Sequence, residues 1–444
     1  MVGGLGDMEE SSIENQSAKM IRTAKALLAR YPLCHHCLGR QFAKYGLQLK
    51  NSERGYAIKT ILQMILHKEL QDKIIDKETL RKYAVNAGDP ITRLYEKIYE
   101  EKIEPAKCYI CGNKLSEEYF EYLARKAAGL LEQYNAYTFI IGVSLSQETM
   151  LREIEVSSFS GLETSESIKN EIKREVGKIV RDKYGYIPDF DRPDVMVIID
   201  YETDEVRAVV NPILFEGRYW KRGRNISHTI WLSKTGIKEY PYSLEEFFND
   251  RLREIFESER IVLHASGRED VDARMLGTGR PMVIEVKNPR FRYVDMDLIN
   301  ELLRSTLIEA EITGYSSRAK IEYLKGEGSK KRKAYKILVY TAEPITIDKL
   351  RMLEEEYRNR VIHQRTPKRI LRRKKDTLRI RRVYEIKTKM LHDKLFEAIV
   401  YCDGGLYVKE LVHGDDGRTT PSFTDILGVQ AYPLELDVFV VETK

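Results

Sequence analysis

Two pairs of cysteines place the strongest constraint on how this chain can fold. Cys34 and Cys37 form one CxxC pair, and Cys108 and Cys111 form a second. Two thiolates at positions i and i+3 of a tight turn can share one zinc ion, and two such turns complete a tetrahedral site. The four cysteines therefore predict one structural zinc per chain, which ties two distant N-terminal segments together.

Other interpretations of the cysteines compete with the zinc site. The four cysteines could instead be unrelated buried thiols, because free cysteine is common in protein cores. A redox pair is disfavoured because neither CxxC pair stands in a βαβ pattern. The fifth cysteine, Cys402, stands alone in a predicted strand, where we expect it to fill the core.

The composition is that of a soluble protein with several domains. The chain has 444 residues, of which 42% are apolar and 32% charged, and its formal net charge is +5. This length predicts two or three domains with hydrophobic cores. No run approaches the roughly 18 apolar residues of a membrane helix, and Glu9 and Glu10 stand where a secretory signal needs apolar residues. We expect a cytoplasmic protein with no membrane contact and with reduced cysteines.

Hydrophobic periodicity divides the chain into three predicted regions. Residues 1–120 are predicted to be helical and carry the zinc ligands, residues 121–234 form a mixed α/β module, and residues 235–444 form the last domain. Predicted strands lie at 137–145, 195–200, 282–286, 335–341, 397–402 and 434–442, and predicted helices at 168–180, 296–309 and 348–360. The pattern favours an α+β fold with an antiparallel component.

Basic residues are clustered despite the small net charge. Residues 365–382 contain ten Lys or Arg and a single acid, Asp376, while residues 330–333 read KKRK and residues 218–224 read RYWKRGR. Lysine and arginine contact phosphates, and aromatic rings stack on bases. Any one such run is an ordinary solvated surface about as often as it is a binding site. The three together predict a nucleic acid as partner, bound with an affinity that falls steeply with salt.

Residues 265–281, ASGREDVDARMLGTGRP, concentrate charged residues and glycines in one predicted loop before a strand. Glycines let the backbone approach a ligand closely, and a carboxylate beside arginines stays ionised at neutral pH. Such a carboxylate suits a nucleophile or base acting on a substrate that is held by its phosphates. An ordinary salt-bridged turn has the same composition, so the residues alone leave both interpretations open.

Within this segment, Gly267-Arg268-Glu269-Asp270 resembles the active-site motif of pseudouridine synthases, in which the aspartate is catalytic. The continuation VDARMLGTGRP resembles the archaeal and eukaryotic tRNA pseudouridine synthase family called Pus-ten. Four further blocks resemble this family in order: FEGRYWKRGRNISHTIW (215–231), QRTPKRILRRK (364–374), GLYVKELVHGDDGRT (405–419) and LELDV (434–438). The two CxxC pairs match its zinc site, so the likeness extends over nearly the whole chain.

The resemblance implies an isomerase that converts uridine to pseudouridine at positions 54 and 55 of the tRNA T-arm. Asp270 would be the nucleophile or base that breaks the glycosidic bond. The detached uracil would turn and rejoin the sugar through carbon, which needs no organic cofactor. Lys409 matches the basic residue that pairs with the catalytic carboxylate and keeps it charged.

The resemblance also implies substrate-binding residues. Tyr335 would stack on the flipped-out base, Val408 and Leu436 would line the uracil pocket, and Arg268 would order the loop or fill the gap left by the flipped nucleotide. Val408 and Leu436 have a plainer interpretation, because lone apolar residues in strands are usually part of the core. For Tyr335 the alternative is a strand tyrosine in the core.

The family likeness extends to the architecture. It implies a catalytic domain with a mixed or antiparallel sheet, preceded by a module similar to THUMP RNA-binding domains. The basic segments at 317–333 and 364–382 fall where family members carry loops that grip the tRNA arm, and a monomer is favoured. One difference from the family is the run GGLY at residues 404–407, which replaces the small or polar residue often found before the Tyr-hydrophobic-Lys sequence. The geometry of that loop is therefore left open.

Two other functions remain possible at this stage. A non-catalytic tRNA-binding protein or RNA chaperone would present the same basic surface. Another THUMP-bearing tRNA enzyme, such as a methyltransferase or thiouridine synthase, would need a glycine-rich cofactor loop or an SGGxDS-type loop, and the sequence contains neither.

Overall fold

The computed structural model describes residues 6–326, 330–372 and 374–442, with side chains from residue 17 onward. The chain forms two compact units, Met1–Asn211 and Pro212–Lys444. Among the described residues, no helix combines the length and the apolar character that crossing a bilayer requires.

The first unit is mainly helical. Its helices are α1 (Gly6–Arg30), α2 (His35–Gly39), α3 (Asn51–Gln71), α4 (Lys77–Ala87), α5 (Ile91–Tyr99), α6 (Glu117–Gln133), α7 (Gln147–Ser160) and α8 (Ile168–Tyr184), with a 3-10 turn at Arg40–Phe42. Local side chains set where several helices begin. Asp76, Ser116 and Ser167 each accept a hydrogen bond from the backbone N–H three residues later, at the starts of α4, α6 and α8.

A small sheet completes the first unit. Its strands are β1 (Thr138–Ser144), β2 (Ile187–Pro188), β3 (Val195–Asp200) and β4 (Val206–Val210), in the order β2-β1-β3-β4. Strand β1 is parallel to β2 and β3, whereas β4 is antiparallel to β3. The two strands and the amphipathic helix predicted for this region are confirmed. One hydrophobic core extends from Ala24 to Tyr201, so the boundary expected at residue 120 falls inside a single compact unit.

The second unit is built around a large sheet. Its strands are β5 (Ile213–Lys221), β6 (Ile226–Ser227), β7 (Tyr242–Ser243), β8 (Arg260–Ala265), β9 (Arg274–Lys287), β10 (Ile308–Tyr315), β11 (Lys333–Thr341), β12 (Arg360–Arg365), β13 (Leu378–His392), β14 (Leu395–Cys402), β15 (Thr419–Thr420) and β16 (Ala431–Val441). Its helices are α9 (Leu244–Leu252), α10 (Met296–Leu302), α11 (Arg318–Lys325), α12 (Ile347–Glu356), α13 (Val408–His413) and α14 (Phe423–Leu427), with a 3-10 turn at Lys368–Ile370.

The large sheet is antiparallel apart from one contact. Its order is β10-β5-β9-β16-β11-β14-β13-β12-β15, and β8 pairs with β9 as well. The exception is β9 with β16, which run parallel where Arg274 faces Asp437 and Met275 faces Val438. The mixed α+β class with an antiparallel component is therefore confirmed.

Strand β5 belongs to the second unit, although the sequence predicted it in the preceding RNA-binding module. We expected residues up to 234 to belong to the RNA-binding module, but β5 pairs with β9 and β10 in the sheet of the second unit. The side chains of Phe215 and Tyr219 are buried in the core of that unit, which holds the strand there.

Three other elements have different bounds from those predicted. The loop expected at 265–281 covers only 266–273, because β9 already begins at Arg274 and pairs Arg280 with Tyr219. The helix expected at 296–309 ends at Leu302, since β10 starts at Ile308. The helix expected at 348–360 ends at Glu356, before β12 starts.

Candidate active site and candidate metal site

Residues 266–273, which we call the Asp270 loop, connect the antiparallel neighbours β8 and β9. The N–H of Ser266 donates to the carbonyl of Pro281 at 3.1 Å, and the N–H of Ala273 donates to the carbonyl of Asp270 at 3.0 Å. Gly267 has a φ of +78°, a conformation that glycine adopts without strain. The sheet and these turns fix both ends of the loop and leave the Asp270 side chain 38% exposed.

Two cations from other parts of the second unit meet at Asp270. Arg369 Nη2 lies 3.2 Å from Asp270 Oδ2, and Lys409 Nζ lies 3.3 Å from the same oxygen. Arg369 comes from the 3-10 turn after β12, and Lys409 from the first turn of α13. The structure thus brings together the two residues expected to be catalytic and adds a third, Arg369.

Asp272 is the closer partner of Lys409. The Lys409 ammonium donates to both carboxylate oxygens of Asp272 at 2.7 Å. Partial burial by itself raises the pKa of Asp272, but the hydrogen bond and charge of Lys409 outweigh it, so the net pKa is lowered. Lys409 is therefore shared by two carboxylates of one loop and stays within reach of Asp270.

Glu410 holds Arg369 from behind. Arg369 Nε donates to Glu410 Oε1 at 2.7 Å, and the Glu410 side chain is only 2% exposed. Burial alone lowers the pKa of Arg369, but the hydrogen bond to Glu410 and the charge of Asp270 raise it overall. Asp272 and Glu410 were not predicted as site residues, and Arg369 was predicted only as part of a basic segment, although each stands inside a block that carried the family resemblance.

A buried polar cluster supports the Asp270 loop from beneath. Glu269 is buried and accepts hydrogen bonds from Arg280 Nε and from the Tyr219 hydroxyl, both at 2.9 Å. Burial tends to raise the pKa of Glu269, yet Arg280 and His228 hold it well below its usual range. Lys221 Nζ donates to the backbone carbonyls of Asp270 and Val271, at 3.1 and 3.2 Å. The backbone on which Asp270 stands is therefore anchored by a charged group that solvent does not reach.

Arg224 ties the far end of the loop to β16. Its Nη1 donates to the carbonyls of Asp272 at 2.7 Å and Leu436 at 3.1 Å, and its Nη2 lies 2.9 Å from Asp437 Oδ1. Asp437 also accepts from Arg274 Nε at 2.9 Å. These contacts hold the Asp270 loop against the strand that carries Leu436.

The apolar residues of the expected uracil pocket lie in one cluster. Val408 and Leu436 are buried at 4% and 8% exposure and share a hydrophobic core with Ala273 of the Asp270 loop. Val408 is the first residue of helix α13 and does not lie in a strand. Tyr335 is partly buried on β11 and packs against two hydrophobic clusters of the second unit. Burial, followed by nearby negative charge, raises the pKa of the Tyr335 hydroxyl, so this side chain stays neutral.

Arg268 lies beside a separate cavity. Its side chain is exposed and lines a cavity of about 520 Å³ that is also bounded by His228, His264 and Lys325. The cavity therefore borders the Asp270 loop at Arg268, whereas the ion pairs with Arg369 and Lys409 form at Asp270.

The three basic runs are only partly on the surface. Lys221 is 0% exposed and Lys333 5% exposed, so these two cations support the fold instead of facing a partner. Most of residues 365–382 are exposed, as a polyanion-binding segment requires. Arg379 stacks 5.1 Å from the ring centre of Tyr407, and Arg332 stacks 4.1 Å from that of Tyr384. Residues 327–329 and 373 of the basic segments lie outside the described residues.

The four cysteines predicted to bind zinc come together in the first unit. The sulfur atoms of Cys34, Cys37, Cys108 and Cys111 all lie within 4.8 Å of one another. A tetrahedral zinc with Zn–S bonds of about 2.3 Å separates its sulfurs by about 3.8 Å, and the Cys34 and Cys111 sulfurs are 3.5 Å apart. The donor set and its compactness fit a metal site with four cysteine ligands.

Buried cations adjoin the cysteine cluster. The Arg40 guanidinium is fully buried and lies 3.6 Å from Cys37 Sγ, and Lys59 Nζ donates to the carbonyl of Leu33 at 2.7 Å. Four thiolates around a divalent zinc carry a net charge of −2, which such cations balance. The site is also joined to the small sheet, since the Tyr201 hydroxyl donates to the carbonyl of Cys111 at 3.2 Å.

Comparison with known proteins gives a consistent result for both units. A family model described as "Pus10 THUMP domain, archaeal" matches residues 123–200, and one described as "Pus10, C-terminal" matches residues 214–442. The first match makes the chain a THUMP-domain protein. The second spans the Asp270 loop, Arg369, Lys409 and Glu410.

Curated relatives match along the whole chain and bear the name "tRNA pseudouridine synthase Pus10". The relative from Thermosphaera aggregans is 46% identical over 427 residues, covering 96% of this chain and 97% of its own. Relatives from Ignisphaera aggregans and Methanocaldococcus jannaschii are 39% and 37% identical, over 95% and 94% of this chain and 99% and 93% of their own. The chain therefore belongs to the Pus10 family.

Proposed function

We propose that this tRNA pseudouridine synthase acts on uridines 54 and 55 of the tRNA T-arm and uses Asp270 as its catalytic carboxylate. The observation that carries the proposal is the placement of Asp270, partly exposed on an anchored loop and within 3.3 Å of two cations. Uridine isomerisation breaks the bond from N1 to C1′ and forms one from C5 to C1′. N1 gains a proton and C5 loses one, so the base keeps its composition and no external reactant is consumed.

In this proposal Asp270 attacks the ribose or the ring, and Lys409 keeps the carboxylate ionised. Tyr335 stacks on the extruded base, and Val408 and Leu436 form the apolar wall of the uracil pocket. Their burial in one cluster with Ala273 supports this assignment, because a wall must be preformed to position a base.

Arg268 lines the cavity beside the loop and is proposed to order the loop or to fill the gap that the flipped nucleotide leaves. Its exposure and its positive charge support this role.

The exposed cations of residues 365–382 and the THUMP domain are proposed to hold the tRNA. Guanidinium groups that stack on Tyr384 and Tyr407 suit an RNA surface, because they offer charge to phosphates and a planar face to bases. The division of the first unit near residue 120, into a zinc-binding region and an RNA-binding module, stays a proposal about function. Cytoplasmic location and a monomeric state likewise stay predictions.

We also propose that the metal at Cys34, Cys37, Cys108 and Cys111 is zinc with a structural role. Four sulfur donors leave no open coordination position, which is typical of structural zinc and not of catalytic zinc.

The test is an assay of Asp270→Asn on an unmodified tRNA transcript, with pseudouridine mapped by carbodiimide-stop sequencing. We expect the variant to lose at least about a hundred-fold in rate and to keep its affinity for tRNA. The matched control is Asp348→Asn, which changes an exposed aspartate paired with Arg351 in the same unit. Stops at positions other than 54 and 55 would overturn the T-arm assignment. Full activity of Asp270→Asn would overturn the catalytic assignment.

The alternative function, a tRNA-binding protein or chaperone without catalysis, is not favoured by the family membership. It predicts tRNA binding without pseudouridine in the wild-type reaction, so the same assay separates the two.

A further inference from the structure

Glu410 has one carboxylate oxygen that the described residues leave without a donor. Oε1 accepts from Arg369 Nε, but Oε2 is buried with no hydrogen-bond partner in the described part of the chain. A buried carboxylate oxygen normally has a donor, because taking it out of water without one costs free energy. Glu410 is therefore built to accept a second hydrogen bond.

The second nitrogen on the same edge of Arg369 forms an ion pair with a different acid, Asp270. The Nε and Nη2 atoms form one edge of the guanidinium, and this edge matches the two oxygens of a single carboxylate. In this structure the edge is divided, with Nε on Glu410 at 2.7 Å and Nη2 on Asp270 at the longer distance of 3.2 Å. If Nη2 moved from Asp270 to Glu410 Oε2, Arg369 and Glu410 would form a bidentate pair.

Asp270 would benefit from losing this contact. A carboxylate that forms an ion pair with a guanidinium is a weaker nucleophile and base than a free one, because the positive charge stabilises its anionic form. If Arg369 moves onto Glu410, Lys409 remains near Asp270 and keeps a positive charge beside it.

We propose that Arg369 is a positioning residue with a two-station role, that is, with two alternative positions. In the free enzyme it contacts both Asp270 and Glu410, and when the uridine enters it leaves Asp270 and forms a bidentate pair with Glu410. This inference rests on the proposed function of Asp270. No bond is made or broken in the step, and Arg369 stays paired in both positions. Arg369 belongs to the exposed basic segment, so tRNA that docks on this segment can drive the movement.

The test compares Glu410→Gln and Arg369→Gln at saturating tRNA in single-turnover assays over a range of pH. The amide of Glu410→Gln cannot accept a bidentate pair, so Arg369 stays on Asp270. We expect a rate about ten-fold lower than wild type and a tRNA Kd within about two-fold of wild type. We also expect the acid limb of the pH–rate profile, where the rate falls as the pH is lowered, to move to lower pH. Arg369→Gln removes a cation from Asp270, which moves the acid limb to higher pH. General damage to the fold would not move the acid limb of the pH–rate profile in opposite directions in the two variants.

The pH profile must be interpreted with the other groups near Asp270 in view. The neighbouring acids are Asp272, Glu269 and Glu410, and the other charged or titratable groups are Lys409, Arg369, Lys221 and Tyr335. Because all of them except the altered residue are the same in each variant, the difference between profiles reports the change at Arg369 or Glu410.

Further variants separate the possible outcomes. Arg369→Lys keeps the charge but cannot form the two-point contact, so we expect its acid limb close to wild type and its rate still below it. Glu354→Gln, which alters a half-buried glutamate bonded to Thr388, and Arg351→Gln are matched controls expected to keep wild-type rates. If Glu410→Gln misfolds by circular dichroism, the exposed Arg369 variants decide.

The inference and the proposed function fail in different ways. Wild-type rates and profiles in the Arg369 and Glu410 variants, with an inactive Asp270→Asn, would overturn the two-station role and leave the catalytic carboxylate in place. An active Asp270→Asn would overturn the proposed function itself.

Discussion

Lys221 holds Asp270 by its backbone: the buried ammonium lies 3.1 Å from the Asp270 carbonyl oxygen. The same ammonium donates to the carbonyls of Val271 and Ile226, and it lies 3.8 Å from Glu269. One charge therefore fixes two consecutive peptide groups of the Asp270 loop without touching the Asp270 carboxylate.

Replacing Lys221 with methionine should loosen the loop and weaken the fold. Three carbonyls would each lose one hydrogen bond from a charged donor, and Glu269 would lose a nearby cation, which we expect to lower the free energy of unfolding by about 3 kcal/mol. The single-turnover rate should fall about ten-fold or more while tRNA affinity stays the same, because the carboxylate remains but is misplaced. Urea denaturation and single-turnover assays measure the two effects.

The control for this substitution is Lys336→Met, which removes a partly exposed lysine paired with Glu397 at 2.6 Å on β11. If Lys221→Met matches Lys336→Met in both stability and rate, Lys221 is not an anchor of the loop.

The sequence located the Asp270 loop because its chemistry is local. Arg268, Glu269 and Asp270 are consecutive, and glycine and charge at such density are visible without knowledge of the fold. The CxxC pairs were found for the same reason. Their distance in sequence did not matter, since each pair already has the geometry of half a zinc site.

The ion pairs of the site could not be found in this way. Arg369 and Glu410 lie more than ninety residues beyond Asp270 in the sequence, and the 3-10 turn and α13 bring them to the loop only after the sheet forms. Lys221 illustrates a second difficulty. It stands beside Arg222 in one basic run, but the alternation of β5 turns Lys221 into the core and leaves Arg222 exposed enough to pair with Glu309. Because β5 was not recognised as a strand, both looked like surface cations.

Lys333 makes the free energy of unfolding depend on pH in the alkaline range. Burial, with repulsion from Arg280, lowers its pKa to about 8 from the ordinary 10.5. Between these values the unfolded chain binds more protons than the folded one, so the free energy of unfolding rises with pH across this window. Below pH 8 both states are protonated and the folded state bears the full cost of the buried charge.

We therefore expect Lys333→Met to raise the free energy of unfolding at pH 7 by about 1–2 kcal/mol and to abolish most of the rise between pH 8 and 10.5. Urea denaturation at pH 7, 9 and 10.5 measures both, with Lys336→Met as the neighbouring control. Parallel pH dependence in wild type and Lys333→Met would show that this lysine is not the group responsible.

Gly277 lies where β9 passes very close to β16. Its φ is +53°, and a Cβ atom added there would lie 1.9 Å from the carbonyl oxygen of Phe439. Gly277→Ala must therefore strain the backbone and push the strands apart, which we expect to cost about 2–4 kcal/mol and to lower Tm by roughly 10 °C. In Gly314→Ala, by contrast, the added Cβ meets nothing within 4 Å, so its Tm should change little. Equal Tm values in the two variants would contradict the close contact.

Loss of one cysteine ligand should remove the metal and unfold the first unit in part. Cys108→Ser replaces a buried thiolate with a hydroxyl that zinc binds poorly, and the segments around Cys34 and Cys111 would lose their common tether. We expect about one zinc per chain in wild type by plasma mass spectrometry, much less in the variant, and a smaller helical signal by circular dichroism. Cys402→Ala is the matched control, because Cys402 is buried in the second unit and is not one of the four clustered cysteines. Equal zinc in Cys108→Ser and Cys402→Ala would exclude the four-cysteine site, whatever their activity.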